Sequence, residues 1–330
     1  MGVLTQLVPP AVPRSGAALM PEATDSFQEG LISILKKTMD YLHPELSEAA
    51  GICLTLIAII LLISISALIP GAKLKTAELV GTVAVGTVLL QNTNALIHLG
   101  IRTIEDMSAY GKLLLGVMTS ALAAQGGITT ATALYAGTAL FDTVLSAIIT
   151  GLLNPLIYIY LVLSTANAAI GEDVLKKMSD FVKWTSVWLL KTVLYIFTGY
   201  MGITGVISGT TDAAALKAAK LTISGVVPVV GGILSDASEA VLVSAGLMRN
   251  AAGIYGILAV LAVFLLPFLR IGSHYLVLRL TGAVCGVFGV KRCTELIAQF
   301  SSAMGIVLAM TGSVCLLQLI STVCFLRGVG

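Results

Sequence analysis

Between Lys112 and Gly171 the chain carries a single charged side chain, Asp142. A soluble domain of ordinary composition would place roughly one charge in every four residues there. So long an uncharged run must be hidden in protein or in lipid, and at about 20 residues per crossing it suffices for more than one membrane passage. The remainder agrees: charged residues make up 11% of the chain, and mean hydropathy is +0.99. Six of the 17 acidic residues fall in the first fifty positions, so the rest is poorer still in charge. The predicted class is an all-α, polytopic membrane helix bundle. A net charge of +2 with scattered lysines gives no basic run, so no nucleic-acid partner is expected.

Apolar stretches and breakers predict about seven spans. Residues 1–21 hold Pro9, Pro10, Pro13 and Pro21 and no continuous apolar core. They read as a disordered lead-in, or as a start downstream of the natural one, rather than a secretory leader. Ser26 and Glu29 form a capping box for an amphipathic helix running to Leu42, placed at the membrane interface or on a partner. Residues 1–50 are thus set apart from a membrane domain over 51–330. Pro44 opens the next helix, with a span over 52–69 ended by Pro70-Gly71. Residues 79–99 are interrupted by Gln91, Asn92, Thr93 and Asn94, which should face the bundle interior or the headgroups. A loop over 102–106, a short helix 113–124, and spans 128–150 and 154–170 follow, divided at Gly126-Gly127 and Asn154-Pro155. A polar connector over 172–183 leads to spans 186–208, 252–269, 273–290 and 302–325. Lys and Arg occur in nearly every loop, so the positive-inside rule sets no orientation. The pairs Gly205/Gly209 and Gly282/Gly286 suggest close helix contacts.

Residues 204–246 are too polar and too broken to cross a bilayer simply. Thr210, Thr211 and Asp212 can cap a helix start, and 213–221 then reads as helix with Lys217 and Lys220 on one face. Gly225, Pro228, Gly231 and Gly232 break it, and a second arm carries Asp236 and Glu239. Lys220 and Asp236 are equally far from Pro228, as are Lys217 and Glu239. Folding back at the proline brings each lysine to a carboxylate. The 221–235 stretch between the charges is too short to cross, so a re-entrant hairpin inside a bundle fits. An amphipathic helix on the surface, with the symmetry accidental, is the competing reading.

An internal repeat can be traced. Leu35-Lys36-Lys37 with Asp40 resembles Leu175-Lys176-Lys177 with Asp180. Gly81 and Gly86 match Gly225 and Gly231, and Tyr110-Gly111 matches Tyr255-Gly256. Duplicated halves, 51–185 and 186–330, would make 79–98 a second re-entrant element; coincidence among Gly, Lys and Leu is the alternative.

No phosphate loop, HExxH or GxSxG occurs, so no enzyme is expected. Cys53, Cys285, Cys293, Cys315 and Cys324 lack CxxC spacing and read as small buried hydrophobes. His43, His98 and His274 are isolated, so neither metal nor cofactor is predicted. Asp142, Lys191 and Arg279 fall within or at the edge of apolar segments, where an unpaired charge costs several kcal/mol. They line a polar path or contact another subunit, or else Lys191 and Arg279 snorkel and Asp142 only fixes the bundle.

The run SGTTDAAALKAAKLTISGVVPVVGGILSDASEAVLVSAGLMRNAAGIYG resembles the stage III sporulation protein AE family of endospore-forming bacteria. The likeness extends from about Ala50 to the C-terminus and takes in KLKTAELVG. It implies a subunit of the membrane complex that joins mother cell and forespore, a specialised secretion or feeding channel. Implied partners are other membrane proteins of the stage III sporulation A operon and a separate cytoplasmic ATPase. The implied location is the mother-cell membrane surrounding the forespore. Homo-oligomerisation is a further expectation. Family members usually carry a cleavable leader, which is not evident here. Three readings follow: a channel subunit, with pore formation open; an autonomous secondary transporter with duplicated halves; or a non-conducting scaffold.

Overall fold

The computed structural model describes residues 12–21, 27–66, 74–124, 128–203 and 251–328. Among them there is no strand. In chain order the elements are α1 (Arg14–Ala17), α2 (Phe27–Ser66), α3 (Leu74–Ala124), α4 (Ile128–Ile148), a π-helical turn (Ile149–Leu153), α5 (Asn154–Ile170), α6 (Asp173–Ile203), α7 (Ala251–Gly286) and α8 (Lys291–Gly328). Among the described residues, five helical stretches are long and apolar enough to cross a membrane: Phe27–Ser66, Thr76–Ser120, Tyr135–Ile170, Ile254–Gly286 and Lys291–Cys324.

Among the described residues, several of the expected breaks between helices do not form. Residues 27–42 and 52–69 were expected as two helices, yet α2 runs unbroken through Pro44. Proline removes one helical hydrogen bond at a cost of about 3 kcal/mol, but the helix is held on either side of it. Thr38, Leu42 and Ala49 are buried along one stripe, and Arg270 of α7 grips Glu45 just past the proline. The expected loop over 102–106 is helix within α3. Its charges mark a face rather than an end, since Arg102 and Glu105 are exposed while Ile101, Thr103 and Ile104 are buried. No Gly or Pro interrupts those turns. Residues 128–150 and 154–170 form one rod, and Pro155 is absorbed by the π turn before it, which relieves the clash of its ring with the carbonyl four residues back. The spans expected over 252–269 and 273–290 are likewise a single helix containing Pro267. The connector 172–183 and the start of the span 186–208 are both part of α6, which is not among the five.

Two turns that do form have glycine in the left-handed region. Gly171 (φ 81°) ends α5 and Gly289 (φ 76°) separates α7 from α8, a conformation that costs a residue with a Cβ about 1–2 kcal/mol. At the first corner Arg292 Nη1 donates to the carbonyl of Ala169 at 3.1 Å, capping the end of α5 where helix carbonyls are unpaired and the dipole is negative.

The core is the α7–α8 pair. α8 packs on α7, α3, α4, α5 and α6, while α7 also takes α1, α2 and α3. Phe300, Met304, Val307, Met310 and Leu317 of α8 are buried. The Gly282/Gly286 spacing serves this contact, since their open faces meet Ile297 and Thr294 of α8. Buried hydroxyls bond one turn back along their own helices, as from Ser313 to the Ala309 carbonyl at 2.6 Å and from Thr38 to Ile34 at 2.6 Å. That removes the desolvation cost of polar atoms in an apolar bundle. None of the five cysteines is in a disulfide. The outer faces stay apolar, with Leu54, Leu62, Val80, Val162 and Trp184 more than half exposed, as expected where lipid is the solvent.

Candidate functional site

Three helices bring polar side chains to one place inside this bundle, each at helical spacing. α3 contributes Ser108 and Lys112, α4 contributes Thr138 and Asp142, and α8 contributes Gln318, Ser321 and Thr322. Residues three or four apart share a helix face, so each helix presents a polar patch within an apolar stripe. Leu114, Leu115, Leu317 and Gly111 complete the wall of a small cleft among them.

Asp142 is buried, at 3% exposure. The hydroxyl of Ser108 donates to its Oδ2 at 2.6 Å, and Lys112 Nζ stands 4.0 Å from the same oxygen. Lys112 is too distant for a hydrogen bond, and its side chain remains 47% exposed. It balances the carboxylate's charge from the rim without filling the cleft. Gln318 Nε2 donates to the Met107 carbonyl of α3, a close approach possible because Gly111 has no side chain in the way. The outer oxygen of Gln318 and the hydroxyl of Thr138 are buried and have no hydrogen-bond partner. Unpaired buried polar atoms are rare and costly, so each calls for an explanation.

Of the intramembrane charges expected to matter, Asp142 is thus the one seated in a polar centre. Lys191 is half-buried on α6 and Arg279 is exposed on α7; the contacts described link neither of them to Asp142. Asp212, Lys217, Lys220, Gly225, Pro228, Gly231, Gly232, Asp236 and Glu239, and with them the re-entrant hairpin, lie outside the described residues. Of the interrupting polar run, Thr93 is buried and Asn94 accepts a hydrogen bond from Tyr158 at 2.7 Å on the bundle's outer side. Reasoning from sequence missed Ser108, Lys112, Thr138 and Gln318. The signal available was polar residues three or four apart within otherwise apolar helices.

A second polar contact joins α2 to α7. Arg270 Nε lies 2.7 Å from Glu45 Oε2, and its Nη2 lies 3.9 Å from Glu48. The first is an ion pair whose N–H is not aimed at the oxygen. A third ties α6 to α8, through Lys176 to Glu295 at 2.7 Å and Lys183 to Ser302 at 3.2 Å. Among the described residues no group of three His, Cys, Asp or Glu side chains could hold a metal ion.

The family model described as Stage III sporulation protein AE matches residues 18–327. The stage III sporulation protein AE of Bacillus subtilis (strain 168) is 22% identical over 251 residues, which is 75% of this chain and 63% of that protein. The chain therefore spans less than two thirds of the curated relative's length. No solved structure matches.

Proposed function

Because the chain belongs to the stage III sporulation protein AE family, we propose that it is an integral membrane subunit of a multiprotein secretion or feeding channel between mother cell and forespore, and forms part of the conducting path. The observation that carries this reading is the oxygen-lined, incompletely paired centre around Asp142, enclosed by three helices of an otherwise apolar bundle. A purely structural bundle gains nothing from unpaired buried oxygens, whereas a polar route needs them along its whole length, beyond the level of the exposed Arg102 and Glu105 as well as within the membrane. The chain works in the mother-cell membrane surrounding the forespore, as an oligomer. It acts with other membrane proteins of the stage III sporulation A operon and with a separate cytoplasmic ATPase, which supplies the energy for which this sequence has no phosphate loop. It is not an enzyme.

Reconstitution of the purified chain into liposomes separates this from its rivals. A large solute leak, or rings of one chain by microscopy, is expected. Coupled uptake of one solute by the protein alone would replace this reading with an autonomous transporter. Tight partner binding without any conductance would replace it with a scaffold. Cysteine accessibility across 204–246, in cells assembled with the partner proteins, tests the hairpin's part. Aqueous labelling of 225–232 is expected, and protection throughout would remove the hairpin from the path.

A further inference from the structure

We propose that the cleft between α3, α4 and α8 binds one small, hard monovalent cation of sodium size, held by Asp142, Thr138 and Gln318. The direction in which the polar groups face argues for a cation. Ser321 donates its hydroxyl hydrogen to the Leu317 carbonyl at 2.7 Å and Thr322 to the Gln318 carbonyl at 2.8 Å. Ser108 spends its hydrogen on Asp142, and the Gln318 amide spends one on Met107. The second N–H of the Gln318 amide is turned to Asp142, and the unpartnered Thr138 hydroxyl can rotate its lone pairs inward. The remaining capacity of the cleft is mostly oxygen lone pairs. The side-chain Oε1 of Gln318 and the Thr138 hydroxyl are unpartnered, both residues line the cleft, and they are 4% and 1% exposed. An anion would meet the Asp142 carboxylate, so it is excluded on charge.

Size and charge narrow the class. The cleft has room for about one water-sized sphere. Calcium takes six to eight oxygens and usually several carboxylates, and magnesium keeps much of its water; one carboxylate in so small a space suits neither. The ligands are all oxygen, which disfavours softer metals. A single negative charge in an apolar surrounding calls for a single positive one. Lys112 is that charge at the rim, and its half-exposed side chain has solvent to withdraw into when the ion enters. Ion and lysine therefore compete for Asp142. The site does not depend on whether the chain conducts.

Thermal unfolding of the purified chain in detergent tests the proposal, comparing NaCl, KCl and choline chloride at equal ionic strength. Sodium is expected to raise Tm by on the order of a few degrees near saturation, with potassium weaker and choline without effect. D142N should abolish the sodium response. T138V, nearly isosteric, should shift its midpoint to several-fold higher sodium, and K112Q to several-fold lower. Equal Tm in all three salts would overturn the proposal and leave only a water in the cleft. A sodium response unchanged in D142N would place the ion elsewhere. Should D142N fail to fold, opposite shifts in T138V and K112Q sustain the proposal, and unchanged midpoints in both overturn it.

Discussion

Replacing Gly111 with alanine would put a methyl carbon against the amide of Gln318, closer than real side-chain carbons come to any neighbour. The far end of a glutamine can move, but only by giving up the Met107 carbonyl and closing the cleft. G111A is therefore expected to destabilise the bundle by about 1–3 kcal/mol, as overpacking does. Gly116, five residues on in the same helix, has open space where its Cβ would go. G116A should be neutral or stabilising by up to about 1 kcal/mol. Denaturant unfolding of the two variants side by side checks this; equal effects would mean that Gln318 does not occupy the space beside α3. Asp142 could be picked out of the sequence because the single charged side chain between Lys112 and Gly171 is conspicuous. Its companions could not. Ser108 is 34 positions away, and Gln318 is further still, so their meeting depends on the register of α3 and α8, which no local pattern encodes.

Punctuation by proline misleads in this bundle, whereas left-handed glycine does not. Pro44, Pro155 and Pro267 all sit in continuous rods, because one missing hydrogen bond is outweighed by burial along a helix of thirty or more residues. Gly171 and Gly289 do end helices, since their φ values are open to almost no other residue. Helical content and apolar faces could be read from the sequence; which breaker reverses the chain could not, because that is decided by the neighbouring helix. The corner at Gly171 is held by α6 against the start of α8, and here a pH dependence follows. The Lys176 ammonium hydrogen-bonds Glu295 and feels its charge, which together hold its pKa above the usual lysine range. A pKa higher in the folded state gives stability that is fully present below the unfolded value, about 10.4. That stability is lost as pH rises through the folded one. Docking of α6 on α8 should therefore loosen in alkali above that range. Label-to-label distances between the two helices should lengthen there in the native chain. K176M should show no such transition, and one that persists in K176M would assign it to another group.

Helix length places the molecule relative to a bilayer. α3 has 51 residues and α8 has 38, so at 1.5 Å per residue they run about 76 and 57 Å, well beyond a hydrocarbon layer of about 30 Å. One level of the bundle is charged on its outside. Glu45 and Glu48 of α2 meet Arg270 of α7 there. Gly100 of α3 faces Ile271, Val307 and Thr311 at the same height, with exposed Arg102 and Glu105 one turn on. On one side of that level, α2 from 49 to 66, α3 from 79 to 100 and α5 carry no Asp, Glu, Lys or Arg, and each is about a bilayer long. Their outward Leu62, Val80 and Val162 are exposed in the isolated chain, a state that only lipid or a partner makes favourable. The bilayer should therefore end at the charged level. Cysteines placed at Arg102 or Glu105 should react with a water-soluble maleimide in sealed vesicles opened to that side. A photoactivatable lipid should label positions 62, 80 and 162 and spare Met304, Val307 and Met310, which α3 and α7 enclose. Labelling of Val307 from the lipid phase would show that α8 is not the enclosed helix. Protection of position 102 would move the membrane boundary past the charged level and toward Asp142.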